Sequence, residues 1–287
     1  MLRYTNSPVA NYSSSAFPQL DDYASGPSPA TDCGDAYPFS HTALAEADRP
    51  GPLQAMLQQF MRLENDEIAA LGSLASHTKL HDAGHILIHE GGTTDYVYLL
   101  VEGTASRYKL LPGGERQILG FLIPGDICDV QFITHRPDHS VALLSRAKIA
   151  KIPSRKMTEF LIHYPRIEWA LSRAALLDIA ILRQWLLNIG QRDACERLSH
   201  LFCEMKCRLS KIGKVESDGS FDMPVNQSAL ADCTGLSIVH INRTLQRLRN
   251  DGLIELRRRR LTILDPERLA TLAGFSDDYL QVKPCRS

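Results

Sequence analysis

The feature that most restricts the fold of this chain is a helical stretch that is apolar on nearly every side. It covers residues 174–189, within a longer pattern that Pro165 begins, as a first-turn proline can, and that Gly190 ends. Such a helix has to be covered on more than one side. We expect one face to pack on a neighbouring domain and the other to contact a second copy of the chain; a core helix within a monomer is the alternative. The residues predicted to form this dimer contact are Trp169, Leu176, Ile179, Arg183 and Leu187.

The region before this helix has the pattern of a small β-sandwich or barrel. Short apolar runs alternate with glycine-bearing turns about every 8–12 residues, and two short helical segments over 53–61 and 64–71 precede them. Two of the turns combine a proline, which presets φ, with a glycine that allows positive φ, namely Pro112-Gly113-Gly114 and Pro124-Gly125-Asp126. The predicted strands cover residues 85–89, 95–101, 106–111, 116–122, 141–144 and 148–152.

Length and composition narrow the class of protein. With 287 residues, 44% of them hydrophobic and 23% charged, the chain has the composition of a globular protein with two domains. Residues 1–52 differ from the rest, because they hold nearly half of the 15 prolines and show no apolar periodicity. We predict a disordered tail there, since such a segment cannot bury enough apolar surface to offset the entropy of ordering.

Membrane and metal proteins fit the sequence poorly. No apolar run reaches the roughly 18 residues that a membrane span needs, and the first residues lack the apolar segment of a secretory signal. The expected location is therefore the cytoplasm, and the seven scattered cysteines match neither a zinc site nor a disulfide framework. His77, His81, His85 and His89 recur every four residues, but along a strand such residues lie about 13 Å apart, too far for one metal ion. We predict no metal site and no cofactor.

Residues 225–250 follow the pattern of a helix-turn-helix. Asn226 is placed to cap a short helix that has Gln227 and Ser228 in its first turn, Gly235 supplies a tight turn, and Ser237 caps a second helix. The buried side of the first helix is predicted to be Ala229, Leu230 and Cys233. The apolar stripe of the second helix is predicted to be Ile238, Ile241, Leu245 and Leu248.

The outward face of the second helix is polar and basic, which indicates contact with DNA. The N-terminal part of such a helix meets base edges, so Arg243 is suited to guanine, Asn242 to adenine and Val239 to the thymine methyl group. A predicted β-hairpin follows, with four arginines over 257–260 at its tip, in the position of a wing. Between residues 241 and 264 seven arginines stand against two acidic residues, although the whole chain carries a net charge of −1. The predicted DNA contacts are Asn226, Gln227, Ser228, Ser237, Val239, His240, Asn242, Arg243, Arg247, Arg258 and Arg259.

These motifs resemble the Crp/Fnr family of bacterial transcription regulators, over about residues 53–275. The resemblance is carried by Pro-Gly-Asp at 124–126, the long helix, Gly-Leu-Ser at 235–237 with Ile-Asn-Arg-Thr-Leu-Gln-Arg-Leu at 241–248, and Asp-Gly-Leu-Ile at 251–254. It implies an α+β fold with an N-terminal cyclic-nucleotide-binding-like β-roll, a dimerisation helix and a C-terminal winged helix-turn-helix. It also implies a homodimer on a palindromic operator with half-sites about one helical turn apart, and RNA polymerase as a partner.

The resemblance sets the expected boundaries along the chain. They are a tail over 1–52, a β-roll sensor domain over 53–153, a dimerisation helix over 154–190, a DNA-binding domain over 191–275 and a C-terminal tail over 276–287.

The resemblance also implies roles for single residues, and some positions depart from the family pattern. Arg243 falls on the family's base-reading arginine, whereas Val239 stands where well-known members have a base-contacting glutamate. Members that bind cyclic AMP carry a Gly-Glu pair and an Arg-Ser or Arg-Thr pair, where this chain has Asp129-Val130 and His139-Ser140. We therefore do not expect cyclic AMP to bind in the usual way. The candidate effector-pocket residues are Cys128, Asp129, His139 and Ser140, and the cysteine cluster of the oxygen-sensing branch is absent.

A redox or small-molecule sensor that acts mainly through a protein partner is the alternative. Cys203 and Cys207, four residues apart in a predicted helical stretch over 191–210, suggest it, although a cysteine in such a position is commonly a small buried hydrophobic residue. The basic face over 238–247 argues against it. No phosphate-binding glycine loop, nucleophile elbow or HExxH motif is present, so an enzyme is not expected.

Overall fold

The structure is a computed structural model, and it describes residues 50–129 and 136–281. Almost all of the predicted N-terminal tail over 1–52 lies outside the described residues, as do the last six residues of the predicted C-terminal tail. The described residues form part of one compact unit.

The N-terminal half is a sandwich of two antiparallel sheets, as the sequence predicts. One sheet has the strand order β1-β7-β3 and the other β2-β6-β4-β5. Apolar side chains from both sheets meet in the space between them, including Leu100 of β3 and Val141 of β6, which are fully buried. Two helices precede the strands, α1 (Pro52–Leu57) and α2 (Asn65–Leu74). The strands are β1 (Thr78–His81), β2 (Ile86–Ile88), β3 (Tyr96–Glu102), β4 (Ala105–Leu110), β5 (Arg116–Leu122), β6 (Ser140–Leu143) and β7 (Ala147–Pro153).

The segment over 154–190, predicted as one dimerisation helix, contains two helices. They are α3 (Ser154–His163) and α4 (Pro165–Gln191), and they separate at Tyr164, whose φ of −123° and ψ of 70° are not helical. The break has a local cause, because the ring of a proline disfavours the helical conformation of the residue before it. Pro165 then stands in the first turn of α4, as predicted.

The C-terminal half is a winged helix-turn-helix. Its three-stranded sheet has the order β8-β10-β9, and the first helix of this half, α5, begins with a capping box between Asp193 and Glu196. The elements are α5 (Ala194–Lys211), β8 (Ser220–Asp222), α6 (Gln227–Thr234), α7 (Ile238–Asn250), β9 (Ile254–Arg257), β10 (Arg260–Ile263) and α8 (Pro266–Ala273), followed by a 3-10 turn (Asp278–Leu280).

Part of the predicted C-terminal tail belongs to the folded core. Leu280 is buried, and its carbonyl oxygen accepts a hydrogen bond from Nζ of Lys211 at 2.5 Å. Tyr279 donates its hydroxyl to Glu204 at 3.0 Å. The tail therefore begins after these contacts rather than at residue 276, because apolar and aromatic side chains near the end of the chain fill the space beside α5.

One apolar core runs through both halves of the molecule. Phe121 of β5 packs edge-on against Trp185 of α4, with ring centroids 5.4 Å apart, and both belong to the same cluster as Leu245 of α7. The N-terminal half and the C-terminal half therefore share buried contacts. Among the helices over the described ranges, none is both long and apolar enough to cross a membrane.

Candidate nucleic-acid interface

Two capped helices and a short turn build the helix-turn-helix. Asn226 accepts a hydrogen bond at Oδ1 from the Ala229 amide at 2.8 Å, and Ser237 accepts one at Oγ from the His240 amide at 3.3 Å. Gly235 begins the turn at a φ of 66°, a left-handed conformation that glycine adopts without the steric cost of a side chain. Both predicted caps and the predicted turn glycine are confirmed.

The second helix of the motif, α7, has one buried and one exposed face. Ile241, Leu245 and Leu248 are buried as predicted, but Ile238 is 48% exposed. Ile238 is the first residue of α7, where the described residues leave the side chain half uncovered, so the buried stripe begins one turn later than predicted. The exposed face carries Val239, His240, Asn242, Arg243, Gln246 and Arg247.

The basic charge on this face is only partly neutralised within the protein. Arg243 forms no ion pair with a residue of the described ranges, whereas Nε of Arg247 lies 3.8 Å from Oδ2 of Asp251. Gln227 and Ser228 are exposed at the start of α6, close in sequence to the cap. Asn226 is exposed too, but its Oδ1 atom is used by the cap, which leaves its amide nitrogen for any outside partner.

The wing is a two-stranded hairpin with a two-residue turn. Arg260 of β10 stands opposite Arg257 of β9, and Arg258 and Arg259 between them have φ values of 49° and 66°. Two successive left-handed residues are typical of the type I′ turn of tight hairpins. All four arginines are exposed, so the predicted basic tip is confirmed, with Arg258 and Arg259 at its apex.

The two flanking arginines of the wing have partners within the protein. Nε of Arg257 lies 2.5 Å from a carboxylate oxygen of Glu255. Arg260 donates to Oγ of Ser220 at 2.7 Å and lies within 4 Å of two carboxylates, those of Glu216 and Asp222. The excess of positive charge counted along the sequence is therefore concentrated at the apex and on α7.

A buried polar network, which sequence reasoning missed, joins the halves of the molecule. Glu204 is fully buried and accepts hydrogen bonds from Nε1 of Trp185 at 3.1 Å and from the hydroxyl of Tyr279 at 3.0 Å. Arg208 lies 3.6 Å from Glu204 and donates to Oδ2 of Asp126 at 3.0 Å. Burial raises the pKa of Glu204 and of Asp126, while the guanidinium of Arg208 opposes that shift in both.

A second polar contact joins the N-terminal β-sandwich directly to the helix-turn-helix. Nε of Arg116 on β5 donates to Oδ2 of Asp232 on α6 at 2.8 Å, and the guanidinium also lies 5.7 Å from the ring centroid of Tyr108. The first helix of the motif is therefore fixed against a strand of the β-roll.

Comparison with known proteins agrees with this architecture. A model of the Crp-like helix-turn-helix domain matches residues 196–272, and a model of the cyclic nucleotide-binding domain matches residues 79–164. The transcriptional activatory protein AadR of Rhodopseudomonas palustris is 29% identical over 201 residues, which cover 70% of this chain and 82% of AadR. The nitrogen fixation regulation protein FixK of Bradyrhizobium diazoefficiens is 27% identical over 192 residues, 67% of this chain and 80% of FixK.

The chain belongs to the Crp/Fnr family. Its fold is similar to that of FixK2 from Bradyrhizobium japonicum, with a TM-score of 0.62 at 20% identity over 70% of this chain and 98% of that one. A CRP-family regulator from Thermus thermophilus gives a TM-score of 0.56 at 21% identity over 69% and 97% of the two chains. The fold class and the family predicted from sequence are confirmed. Crp/Fnr proteins are DNA-binding transcription regulators and not enzymes, which agrees with the prediction on catalysis.

The four candidate effector-pocket residues of this Crp/Fnr β-roll are all buried. Cys128 lies in the core between the sheets, where burial raises the pKa of its thiol to about 12. Oγ of Ser140 accepts a hydrogen bond from the Glu90 amide at 2.9 Å. Nδ1 of His139 lies 2.7 Å from Oδ1 of the exposed Asp138, while its Nε2 has no hydrogen-bond partner among the described residues. Asp129 is buried beside the segment over 130–135, which is not described.

A cavity of about 50 Å³ lies elsewhere, at the junction of the β-roll with α4 and α5. Its lining includes Leu177 and Asp178 of α4, Asp126 of the Pro-Gly-Asp turn and Arg208 of α5. None of the four candidate effector residues contributes to it. Its size suits water rather than an effector.

The repeated histidines are arranged differently from the prediction. The rings of His81 and His85 stack with centroids 4.4 Å apart, because β1 ends at His81 and the chain turns before β2. His81 and His85 therefore do not share one strand, and the predicted separation of about 13 Å is wrong for this pair. Over the ranges that the structure covers, no group of three potential metal ligands occurs. Cys203 is buried and Cys207 half-buried on α5.

Proposed function

We propose that this Crp/Fnr protein acts as a homodimer on a two-fold symmetric operator, and that its β-roll responds to a signal other than cyclic AMP. The observation that carries the proposal is the exposed face of α7, where Arg243 projects from a capped helix without an ion-pair partner in the described chain. Its guanidinium is suited to the O6 and N7 atoms of guanine in the major groove. The expected place of action is the cytoplasm, with RNA polymerase as a partner, since several relatives are named transcriptional activators.

The outward face of α4 supports the homodimer. Large apolar side chains stand in solvent along it, and Leu176 is 59% exposed. Trp169, Leu176 and Arg183 follow one another at intervals of seven residues, the repeat with which one helix packs along another. Leu186, which sequence reasoning left out, is 73% exposed and lies seven residues after Ile179. Leu187 lies beside these residues on α4 and is also exposed.

The geometry of a two-fold dimer supports a palindromic operator. Two copies related by a two-fold axis along α4 present two α7 helices, and such pairs read half-sites about one helical turn of DNA apart. Val239, His240 and Asn242 stand on the same exposed face as Arg243 and are proposed to set the half-site sequence. Ser237 is proposed to contact the DNA from the N-terminal end of α7, in addition to capping that helix.

The charges in the β-roll support a signal other than cyclic AMP. A cyclic phosphate is bound through cationic or hydrogen-bond donor groups. In the two positions where cyclic AMP-binding relatives have a glycine and an arginine, this chain has Asp129 and His139, and His139 already contacts the carboxylate of Asp138. We expect millimolar cyclic AMP to leave the thermal unfolding midpoint unchanged; a clear rise would contradict this part of the proposal.

Selection of binding sites from random double-stranded DNA tests the proposal. The full-length protein without added effector is expected to enrich a symmetric sequence, and the Arg243→Ala variant is expected to lose the enrichment of one base pair in each half. An enriched single half-site would contradict the homodimer. Enrichment that is identical for parent and variant would contradict the proposed position of α7 in the major groove.

A further inference from the structure

We propose that Arg258 and Arg259, at the apex of the wing, enter the minor groove beside each half-site and select narrow, A·T-rich DNA there. The inference rests on the proposed function, because it requires α7 to lie in the major groove. It adds a second determinant of sequence preference, at base pairs that α7 does not reach.

The backbone at the apex is the first observation. Arg258 and Arg259 both have positive φ, at 49° and 66°, where side chains larger than those of glycine and asparagine are disfavoured. Neither side chain makes an ion pair or a hydrogen bond within the described chain. The turn therefore holds two unfavourable residues whose side chains do nothing for the described fold, which points to a partner outside the chain.

The distribution of ion pairs is the second observation. Arg257 is held by Glu255, and Arg260 by Ser220, Glu216 and Asp222. The sides of the hairpin are thus neutralised and only its apex is left positive. A contact with phosphates alone would be served equally well by arginines along the sides, whereas a charge confined to the tip suits insertion into a groove.

The attachment of the wing to α7 is the third observation. The Leu253 amide donates to the carbonyl oxygen of Leu248 on α7 at 3.0 Å. At the base of the hairpin, the Leu264 amide donates to the carbonyl oxygen of Leu253 at 2.9 Å. The hairpin is therefore fixed to the C-terminal part of α7. With α7 in the major groove, we expect a hairpin fixed beside it to lie over an adjoining minor groove.

The chemistry of the apex identifies the DNA it would select. Runs of A·T pairs narrow the minor groove and deepen its negative potential, which attracts arginine side chains. The exocyclic amino group of guanine projects into the same groove and distinguishes G·C from A·T pairs there. Two adjacent guanidinium groups are therefore expected to favour flanks that lack this amino group.

Equilibrium binding to matched duplexes tests the inference. Each duplex contains the selected half-sites, and the base pairs that adjoin them are all A·T, all G·C or all inosine·C, the last having the major groove of G·C without the guanine amino group. The parent is expected to bind the A·T and inosine·C duplexes about tenfold more tightly than the G·C duplex, within the range that base-pair changes produce.

Three variants separate groove insertion from simple attraction to phosphates. The double variant Arg258→Asn with Arg259→Gly has the residues that a type I′ turn favours, so it should unfold at a higher temperature than the parent. It should also bind the three duplexes with equal affinity. Arg258→Lys with Arg259→Lys keeps the charge and should lose most of the preference. Arg257→Gln, at a neutralised position, should retain it.

The outcomes distinguish this inference from the proposed function. If the parent binds all three duplexes equally and still depends on Arg243, the proposed function stands and the wing inference is wrong. A preference retained in the lysine pair also overturns it, because charge alone would then explain the effect. If the parent binds none of the duplexes more tightly than unrelated DNA, both the proposed function and the inference fail.

Discussion

Two helices of this protein, α4 and α7, each leave one face open to solvent, and the two faces differ in chemistry. The open face of α4 is lined by large apolar side chains such as Leu176 and Leu186, whereas that of α7 carries arginine, asparagine and histidine. Water wets the second face readily and the first poorly. One chain can therefore present two kinds of interface, an apolar one suited to protein and a basic one suited to DNA.

The largest effect is expected from charges placed on the apolar face. Leu176→Asp combined with Ile179→Asp should give a monomer in sedimentation and lower operator affinity about 100-fold or more, since two half-sites would no longer be bound together. Ile162→Asp is the matched control, because Ile162 is equally apolar and 73% exposed but lies on α3. A double variant that still sediments as a dimer would show that α4 is not the subunit interface.

The next effect is expected on the basic face. Arg243→Ala should weaken operator binding by about 1–3 kcal/mol and relax the choice of base at one position of the half-site. Arg155→Ala on α3 removes an exposed arginine far along the chain from α7 and should leave binding nearly unchanged. Equal losses in the two variants would mean that net charge, rather than readout by Arg243, drives binding.

A pH effect is expected at the contact between α4 and α5. His200 of α5 is buried, lies 3.2 Å from the side-chain amide nitrogen of Asn188 of α4, and has its pKa lowered to about 3 by burial. The folded state therefore keeps His200 neutral, while the unfolded chain takes up a proton near pH 6.5. The contribution of neutral His200 to the free energy of unfolding is therefore fully present above pH 6.5. It falls as the pH drops toward 3, by up to about 1.4 kcal/mol per pH unit.

Denaturant unfolding at a series of pH values measures this contribution. Between pH 6 and about 4, the free energy of unfolding should change less steeply with pH in the His200→Gln variant than in the parent. The difference in slope should be up to about 1.4 kcal/mol per pH unit, which corresponds to one proton. Identical slopes would show that His200 is protonated in the folded state.

The smallest effect concerns the first helix of the motif. Asn226→Ala should lower the free energy of unfolding by about 1 kcal/mol, because the Ala229 amide loses its cap. Asn226→Asp keeps the acceptor and should restore stability, yet weaken DNA binding if residue 226 lies near a phosphate. Chemical denaturation and operator titration of both variants separate the cap from the contact.

Local sequence signals predicted the helix-turn-helix well. The caps and the turn form between residues only a few positions apart, so their geometry depends little on the rest of the fold. This holds for Asn226, Gly235 and Ser237. The same local reasoning placed Pro165 at the start of α4. It did not place Ile238, because periodicity indicates the side on which a residue lies but not whether anything covers that turn.

The buried network required information from distant parts of the chain. Glu204 and Arg208 are four residues apart and look like an exposed helical ion pair, although both fall on the same side of α5 as Leu201. Their spacing from Leu201 could therefore have indicated that the pair is buried. Their partners Asp126 and Tyr279 lie far away in sequence, so no local pattern predicted which carboxylate and hydroxyl would meet them.

The bond between Arg116 and Asp232, together with the core shared by β5 and α6, has a consequence for signalling. Because α6 is fixed to β5 and packs on α7, we expect the β-roll and the helix-turn-helix of one chain to move together as a rigid unit. In the proposed homodimer, the distance between the two α7 helices is then set by the angle at which the two copies cross along α4. The half-site spacing that this dimer accepts would then report that angle, and a small rotation at the α4 contact would displace the two α7 helices by a larger distance at the DNA.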